Sequence, residues 1–128
     1  FGKYMRQLIA FGLILGLMAC STEAQESSTQ STYRIITVDE FKEKMNTENV
    51  QIIDVRTSQE FVRGTIDGAM NIDVLNSNFE KKIKELDPTR PTLVFCAKGS
   101  RSAKASAIMT GLSFVEIYDL SGGFAGFR

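Results

Sequence analysis

Thr92-Leu93-Val94-Phe95-Cys96-Ala97-Lys98-Gly99-Ser100-Arg101-Ser102 passes from four strand-favouring residues into a polar turn holding one glycine and one thiol. Ala103 to Gly111 then has the composition of a helix, with Gly111 as its natural stop. A buried strand, a tight loop and a helix therefore meet at Cys96. In sheets built from such units, ligands bind beyond the carboxyl ends of the strands, where this order puts the sulfur.

The same alternation extends through the rest of the chain. Strands are expected near Arg34–Ile36, Gln51–Val55, Ala69–Ile72 and Val115–Tyr118, in addition to Thr92–Phe95. Several are apolar throughout, as strands covered on both faces are. Between them, capping boxes are expected at Thr37 with Glu40, Thr57 with Glu60, and Ser77 with Glu80. Behind these caps Phe41 and Met45, and Phe79, Ile83 and Leu86, recur at helical spacing and read as core. The prediction is an α/β domain with a central, mostly parallel five-stranded sheet flanked by helices.

Composition narrows the chemistry. The chain of 128 residues has room for one ordinary domain. Fifteen basic residues balance fifteen acidic ones, so no large field of one sign exists to hold a nucleic acid, and none is expected as a partner. The absence of histidine removes Cys-His and Ser-His nucleophile pairs and most zinc sites. Neither a metal nor an organic cofactor is expected. The two cysteines, Cys20 and Cys96, stand in unlike surroundings and do not suggest a disulfide framework.

Leu8 to Ala19 is an unbroken run of apolar residues and glycines behind Lys3 and Arg6, the layout of a signal peptide rather than a spanning helix. It ends Leu17-Met18-Ala19-Cys20-Ser21, which resembles the lipobox of bacterial lipoproteins. That resemblance implies cleavage before Cys20 and lipidation of it, hence export and a membrane anchor facing the periplasm or cell exterior. Met5 is a candidate start in place of Phe1. The polar sequence that follows has no apolar periodicity. Residues 1–19 thus read as leader, 20–33 as lipidated cysteine and flexible tether with a reach of about 20 Å, and 34–128 as the folded domain.

Cys96 is followed by Ala97, Lys98, Gly99, Ser100, Arg101 and Ser102, five of the six polar or glycine, which a purely structural core cysteine seldom shows. A loop curling at Gly99 can turn backbone N–H groups inward, and a helix starting near Ser102 adds its positive end, making an anion nest that favours thiolate. Lys98 and Arg101 add charge. All six residues are candidates for substrate binding, with Cys96 as nucleophile. Asp54, Arg56 and Glu60, near the end of the second strand, read as structural support, with Glu60 a partner for Arg56.

Ile53-Asp54-Val55-Arg56, Glu60-Phe61, the segment Gly64 to Ile72, Cys-x-x-Gly-x-Arg-Ser and Leu120-Ser121-Gly122-Gly123-Phe124 together resemble the rhodanese pattern, in the same order and over roughly Ile36 to Arg128. The resemblance implies a sulfurtransferase. Its loop cysteine takes a sulfane sulfur from a small anionic donor such as thiosulfate, holds it as a persulfide and passes it to cyanide or a thiol. A protein donor or acceptor is also compatible. Thr65 and Asp67 stand where the family usually has His and Pro; both lie in the turn before the third strand and are expected to change local rigidity or surface recognition without touching the sulfur. Phe127 stands where a Trp is common, and any terminal helix should be missing or very short.

Phosphatases and arsenate reductases of a related fold use Cys-x5-Arg, whereas Arg101 comes one residue earlier and Ser102 takes the sixth place, which argues for a smaller guest. Lys98 and Arg101 suit a dianionic donor better than the neutral loops of mercaptopyruvate enzymes do. The alternative function is a non-turnover persulfide carrier or partner-binding module.

Overall fold

The computed structural model describes Gly16 and residues 30–128; the expected leader, Cys20 and most of the tether lie outside the described residues. The elements are β1 (Thr32–Ile36), α1 (Val38–Met45), β2 (Gln51–Asp54), α2 (Ser58–Val62), β3 (Met70–Asn71), α3 (Phe79–Ile83), β4 (Thr92–Phe95), α4 (Ser100–Gly111), β5 (Glu116–Leu120) and α5 (Gly123–Phe127). The five strands form one sheet in the order β1-β5-β4-β2-β3, and every pairing is parallel.

β2 and β4 are buried along their whole length, which suits their apolar centres Ile52-Ile53 and Leu93-Val94-Phe95, while the polar Gln51, Asp54 and Thr92 at their ends are buried as well. Because successive side chains point to opposite faces, β2, β4 and β5 each feed two cores. Ile53, Val94 and Ile117 pack with Phe79, Ile83, Ala105 and Met109 on one side of the sheet. Ile52, Leu93, Phe95 and Leu120 pack with Ile36, Phe41 and Phe124 on the other. Met45 and Leu86 contribute from partly buried positions.

The Thr37 capping box forms in full: Glu40 N–H donates to Thr37 Oγ1 at 3.2 Å, and Thr37 N–H donates to a Glu40 carboxylate oxygen at 3.0 Å. Ser77 and Glu80 form no such box. α3 instead opens at Phe79 behind Asn78, which gives no side-chain cap. The side chains of Asp73 and Asn76 accept the N–H groups of Leu75 and Asn78 in two successive turns, while Glu80 reaches forward to Lys84 at 3.2 Å. These turns and the burial of Phe79 set the start of α3 at Phe79, directly behind Asn78, so Ser77 does not stand at its cap position.

Several boundaries differ from expectation: β2 stops at Asp54 rather than Val55, and β3 spans Met70–Asn71 rather than Ala69–Ile72. β1 begins at Thr32, so Thr32 and Tyr33 belong to the sheet rather than the tether, with Thr32 opposite Glu116 and Tyr33 opposite Ile117. β5 runs from Glu116 to Leu120 rather than from Val115 to Tyr118, which carries Asp119 into the sheet at 2 % exposure.

Candidate active site

β4 ends at Phe95 and delivers Cys96 beneath the turn Ala97–Gly99. Gly99 takes φ 120°, a backbone conformation natural only to glycine, and serves as the N-cap of α4. The helix therefore starts at Ser100, two residues before the start expected near Ser102, because Ala103 N–H already reaches Gly99 O at 3.2 Å. Arg101 and Ser102 lie in the first helical turn rather than in a free loop.

This curl surrounds the sulfur, and Cys96 is 1 % exposed. Gly99 N–H donates to Cys96 Sγ at 3.0 Å, and Sγ lies 3.5 Å from Ser102 Oγ, whose hydroxyl donates to Gly99 O at 3.0 Å. Burial pushes the thiol pKa up. The Ser102 hydroxyl and the N–H groups of Ser102, Gly99 and Lys98 outweigh it and leave the thiol below its ordinary value.

The loop rests on the Gly122-Gly123 turn. Phe124 N–H donates to Cys96 O at 2.8 Å and Ala125 N–H to Ala97 O at 3.1 Å. Gly123 is pressed so close that a Cβ there would stand 2.5 Å from Ala97 C and O, with φ at 60° as well. Only glycine fits this contact.

Asp54 and Arg56 form a buried two-pronged pair, Nε to Oδ1 at 2.9 Å and Nη2 to Oδ2 at 2.7 Å, with 0 % and 4 % side-chain exposure. Arg56 also donates to Gly64 O at 2.8 Å and lies 4.3 Å from the centre of the Phe124 ring. Thr65 Oγ1 donates to Asp54 Oδ2 at 2.8 Å, so the residue standing in place of a histidine supports this pair. Asn71 donates to both Asp54 O and Arg56 O.

Glu60 does not pair with Arg56. Its carboxylate takes Arg101 in a fork at 2.6 and 3.0 Å, across 41 residues of sequence. The Arg101 bond brings the Glu60 pKa down to about 2 against the opposing effect of burial. Thr57 Oγ1 still accepts from Glu60 N–H at 3.3 Å, so this cap keeps its hydroxyl half while the carboxylate serves the loop.

Beside the loop lies a cavity of about 220 Å³ lined by Arg63, Lys98, Arg128 and Phe124, with Arg56, Glu60, Gly64, Ala97 and Ala125 completing it. Cys96 does not line it; its neighbours Ala97 and Lys98 do. Among the described residues Arg63, Lys98 and Arg128 form no ion pair with a carboxylate, whereas Arg56 and Arg101 do. The site is thus cationic through residues drawn from three parts of the chain. Arg63 and Arg128 carry no local motif, and their convergence depends on topology alone.

Residues 37–128 match the family model of the rhodanese-like domain. The chain belongs to the rhodanese-like family. Among its relatives, the thiosulfate sulfurtransferase GlpE of Shewanella oneidensis is 32% identical over 98 residues, covering 77% of this chain and 95% of that protein. The GlpE enzyme of Pseudomonas putida strain F1 is 33% identical over 98 residues, covering 77% and 87%. The crystal structure of a rhodanese-related protein from Thermoplasma volcanium matches with a TM-score of 0.65 at 30% identity, covering 74% of this chain and 90% of that one. The rhodanese-like domain thus has the parallel α/β sheet expected of it, and its family is one of sulfurtransferases.

Proposed function

We propose that the domain moves sulfane sulfur from thiosulfate, or a related anionic donor, to a thiophilic acceptor through a persulfide on Cys96. The observation that carries this reading is a buried sulfur facing the Gly99 N–H beside a cavity with three cations that have no carboxylate partner among the described residues. The Cys96 thiolate attacks the outer sulfur of thiosulfate. A Cys96 S–S bond forms, the donor's S–S bond breaks, and sulfite leaves with the bonding electron pair. Cyanide or a thiolate then attacks the outer sulfur, which departs as thiocyanate or a new persulfide and returns Cys96 as thiolate. The added sulfur stands about 2.05 Å beyond Sγ, where the inward N–H groups and the α4 N-terminus suit its negative charge.

The two loop cations have unequal roles. Arg101 is committed to Glu60 and positions the first turn of α4, while Lys98 has no carboxylate partner among the described residues and lines the cavity. Lys98→Ala should therefore lower kcat/KM for thiosulfate by roughly ten- to a hundredfold, about 1.5–3 kcal/mol, the worth of one charge-assisted hydrogen bond. An uncharged persulfide donor should show a smaller loss. Unchanged thiosulfate kinetics in Lys98→Ala would remove thiosulfate as the preferred donor. Repeated turnover with thiosulfate and cyanide distinguishes this enzyme from a carrier, which would load only once.

We further propose that the domain is exported and held at a membrane by lipid on Cys20. The lipobox-like end of the leader supports this, and it lies outside the described residues. Labelling with a fatty acid should mark the wild-type chain and not Cys20→Ser. Equal labelling of the two, or none in either, would contradict the anchor.

A further inference from the structure

Of the three cations that line the cavity without a carboxylate partner among the described residues, two come from outside the loop. Arg63 caps the C-terminus of α2, where its N–H donates to Glu60 O at 3.2 Å, and the next residue, Gly64, holds the buried Arg56 through its carbonyl. Its backbone is fixed from both sides while its side chain is exposed. Arg128 follows α5 and sets its guanidinium 4.8 Å from the centre of the Phe124 ring. An aromatic ring engages a guanidinium without using its N–H groups, which stay open to an oxygen acid. Phe124 is tied in turn to the sulfur loop, since its N–H donates to Cys96 O at 2.8 Å.

The other charges on this wall are already matched. Glu60 is held by Arg101, and Arg56 by Asp54. Arg63, Lys98 and Arg128 therefore present three positive charges to a ligand. The Cys96 thiolate and a thiosulfate dianion together match all three. Once sulfite has left, a persulfide anion matches one, and two stand open. Cyanide or a plain thiolate brings a single negative charge. A thiolate that also carries a carboxylate brings both.

We propose that Arg63 and Arg128 form a carboxylate-binding subsite, and that the sulfur acceptor is a small thiol bearing a carboxylate. This rests on the reading of Cys96 as the sulfur carrier. The cavity holds about 220 Å³, below the roughly 300–1,000 Å³ of pockets for drug-sized ligands. With Cys96 only 1 % exposed, such a space admits a small molecule and not the surface of a folded protein. The carboxylate takes the open N–H groups of the two arginines, and the thiolate enters beside Lys98. It attacks the outer sulfur of the Cys96 persulfide. A bond from the acceptor sulfur to that atom forms, the bond to Cys96 Sγ breaks, and Cys96 departs with the electron pair as thiolate. The product is the acceptor's own persulfide, and no oxidant or reductant is consumed.

The test loads the full chain with thiosulfate, removes the donor, and times the loss of sulfur from the Cys96 peptide by mass spectrometry, with mercaptoacetate and with 2-mercaptoethanol. Comparing the ratio of the two rates between variants cancels the intrinsic reactivity of each thiol. In Arg63→Gln combined with Arg128→Gln the ratio should fall about tenfold, roughly threefold for each exposed ion pair. Lys81→Gln combined with Lys82→Gln removes the same charge from exposed positions of α3 that do not line the cavity, and should leave the ratio within about twofold of wild type. An unchanged ratio in the arginine variant, or an equal fall in the lysine variant, would overturn the proposal. Alkylation of unloaded Cys96 by iodoacetate against iodoacetamide supplies a second ratio that needs no sulfur transfer, and it should fall in the arginine variant as well. The second ratio separates the two possible failures. A chain that takes no sulfur from thiosulfate, yet loses iodoacetate selectivity with the two arginines, would overturn Cys96 as carrier and the acceptor with it, while upholding the carboxylate subsite. Iodoacetate selectivity that does not change with the arginines would overturn the subsite itself.

Discussion

Cys96→Ser should leave a folded domain whose thiocyanate formation from thiosulfate and cyanide falls to the uncatalysed background. The replacement removes one atom type and little volume. The new hydroxyl would inherit the Gly99 N–H and the Ser102 hydroxyl as neighbours, so stability should stay within about 1 kcal/mol of wild type by urea unfolding. Chemistry does not survive the exchange, because an alkoxide at neutral pH is far less available than the lowered thiol and an oxygen cannot hold the transferred sulfur as a persulfide. Cys96 is the one cysteine among the described residues, so no second thiol there can take over. Measurable turnover by Cys96→Ser would show that sulfur passes through another group.

The second large effect concerns stability. Asp54→Ala removes the carboxylate that neutralises Arg56, at a site where the two side chains are 0 % and 4 % exposed. The guanidinium would remain buried against Phe124 with only Gly64 O as its hydrogen-bonded partner. Removing one member of a buried pair costs about 3–5 kcal/mol, a large share of the roughly 5–15 kcal/mol that holds a domain together. The urea midpoint should fall accordingly. Asp54→Leu combined with Arg56→Met should recover most of the loss, since an apolar pair leaves no buried charge behind. A single Asp54→Ala variant within about 1 kcal/mol of wild type would mean that Arg56 finds solvent, and the pair would then not be the scaffold of the site.

Much of the fold is legible where one local signal suffices. Thr92–Phe95 is apolar enough to specify a doubly covered strand, and Thr37 with Glu40 specifies a helix start that forms as read. Sequence and structure part where two local signals compete or where topology decides. The polar run after Cys96 reads as loop up to Ser102, yet Gly99 takes a conformation natural to glycine and starts α4 earlier. Asp119 disfavours a strand by type, yet pairing on both sides of β5 carries the strand through it.

The candidate site divides in the same way. Cys96 and its loop are contiguous and visible as a motif. Proximity in sequence pairs Glu60 with Arg56, but the fold supplies Arg101 from the opposite wall and leaves Arg56 to Asp54. By sequence Thr65 stands apart from the scaffold of the site, but its hydroxyl joins the Asp54 carboxylate. No sequence pattern could have brought Arg63 and Arg128 to the cavity, since neither stands near the loop until β2, β4 and α5 are assembled.

Whether Cys96 accepts sulfur from an anionic donor is tested most directly by the intact mass of the full chain after incubation with thiosulfate and removal of excess donor. The expected result is a gain of one sulfur atom, mapped to the Cys96 peptide, lost on adding cyanide and absent in Cys96→Ser. A chain that gains no mass, or gains it elsewhere, would contradict Cys96 as the sulfur carrier.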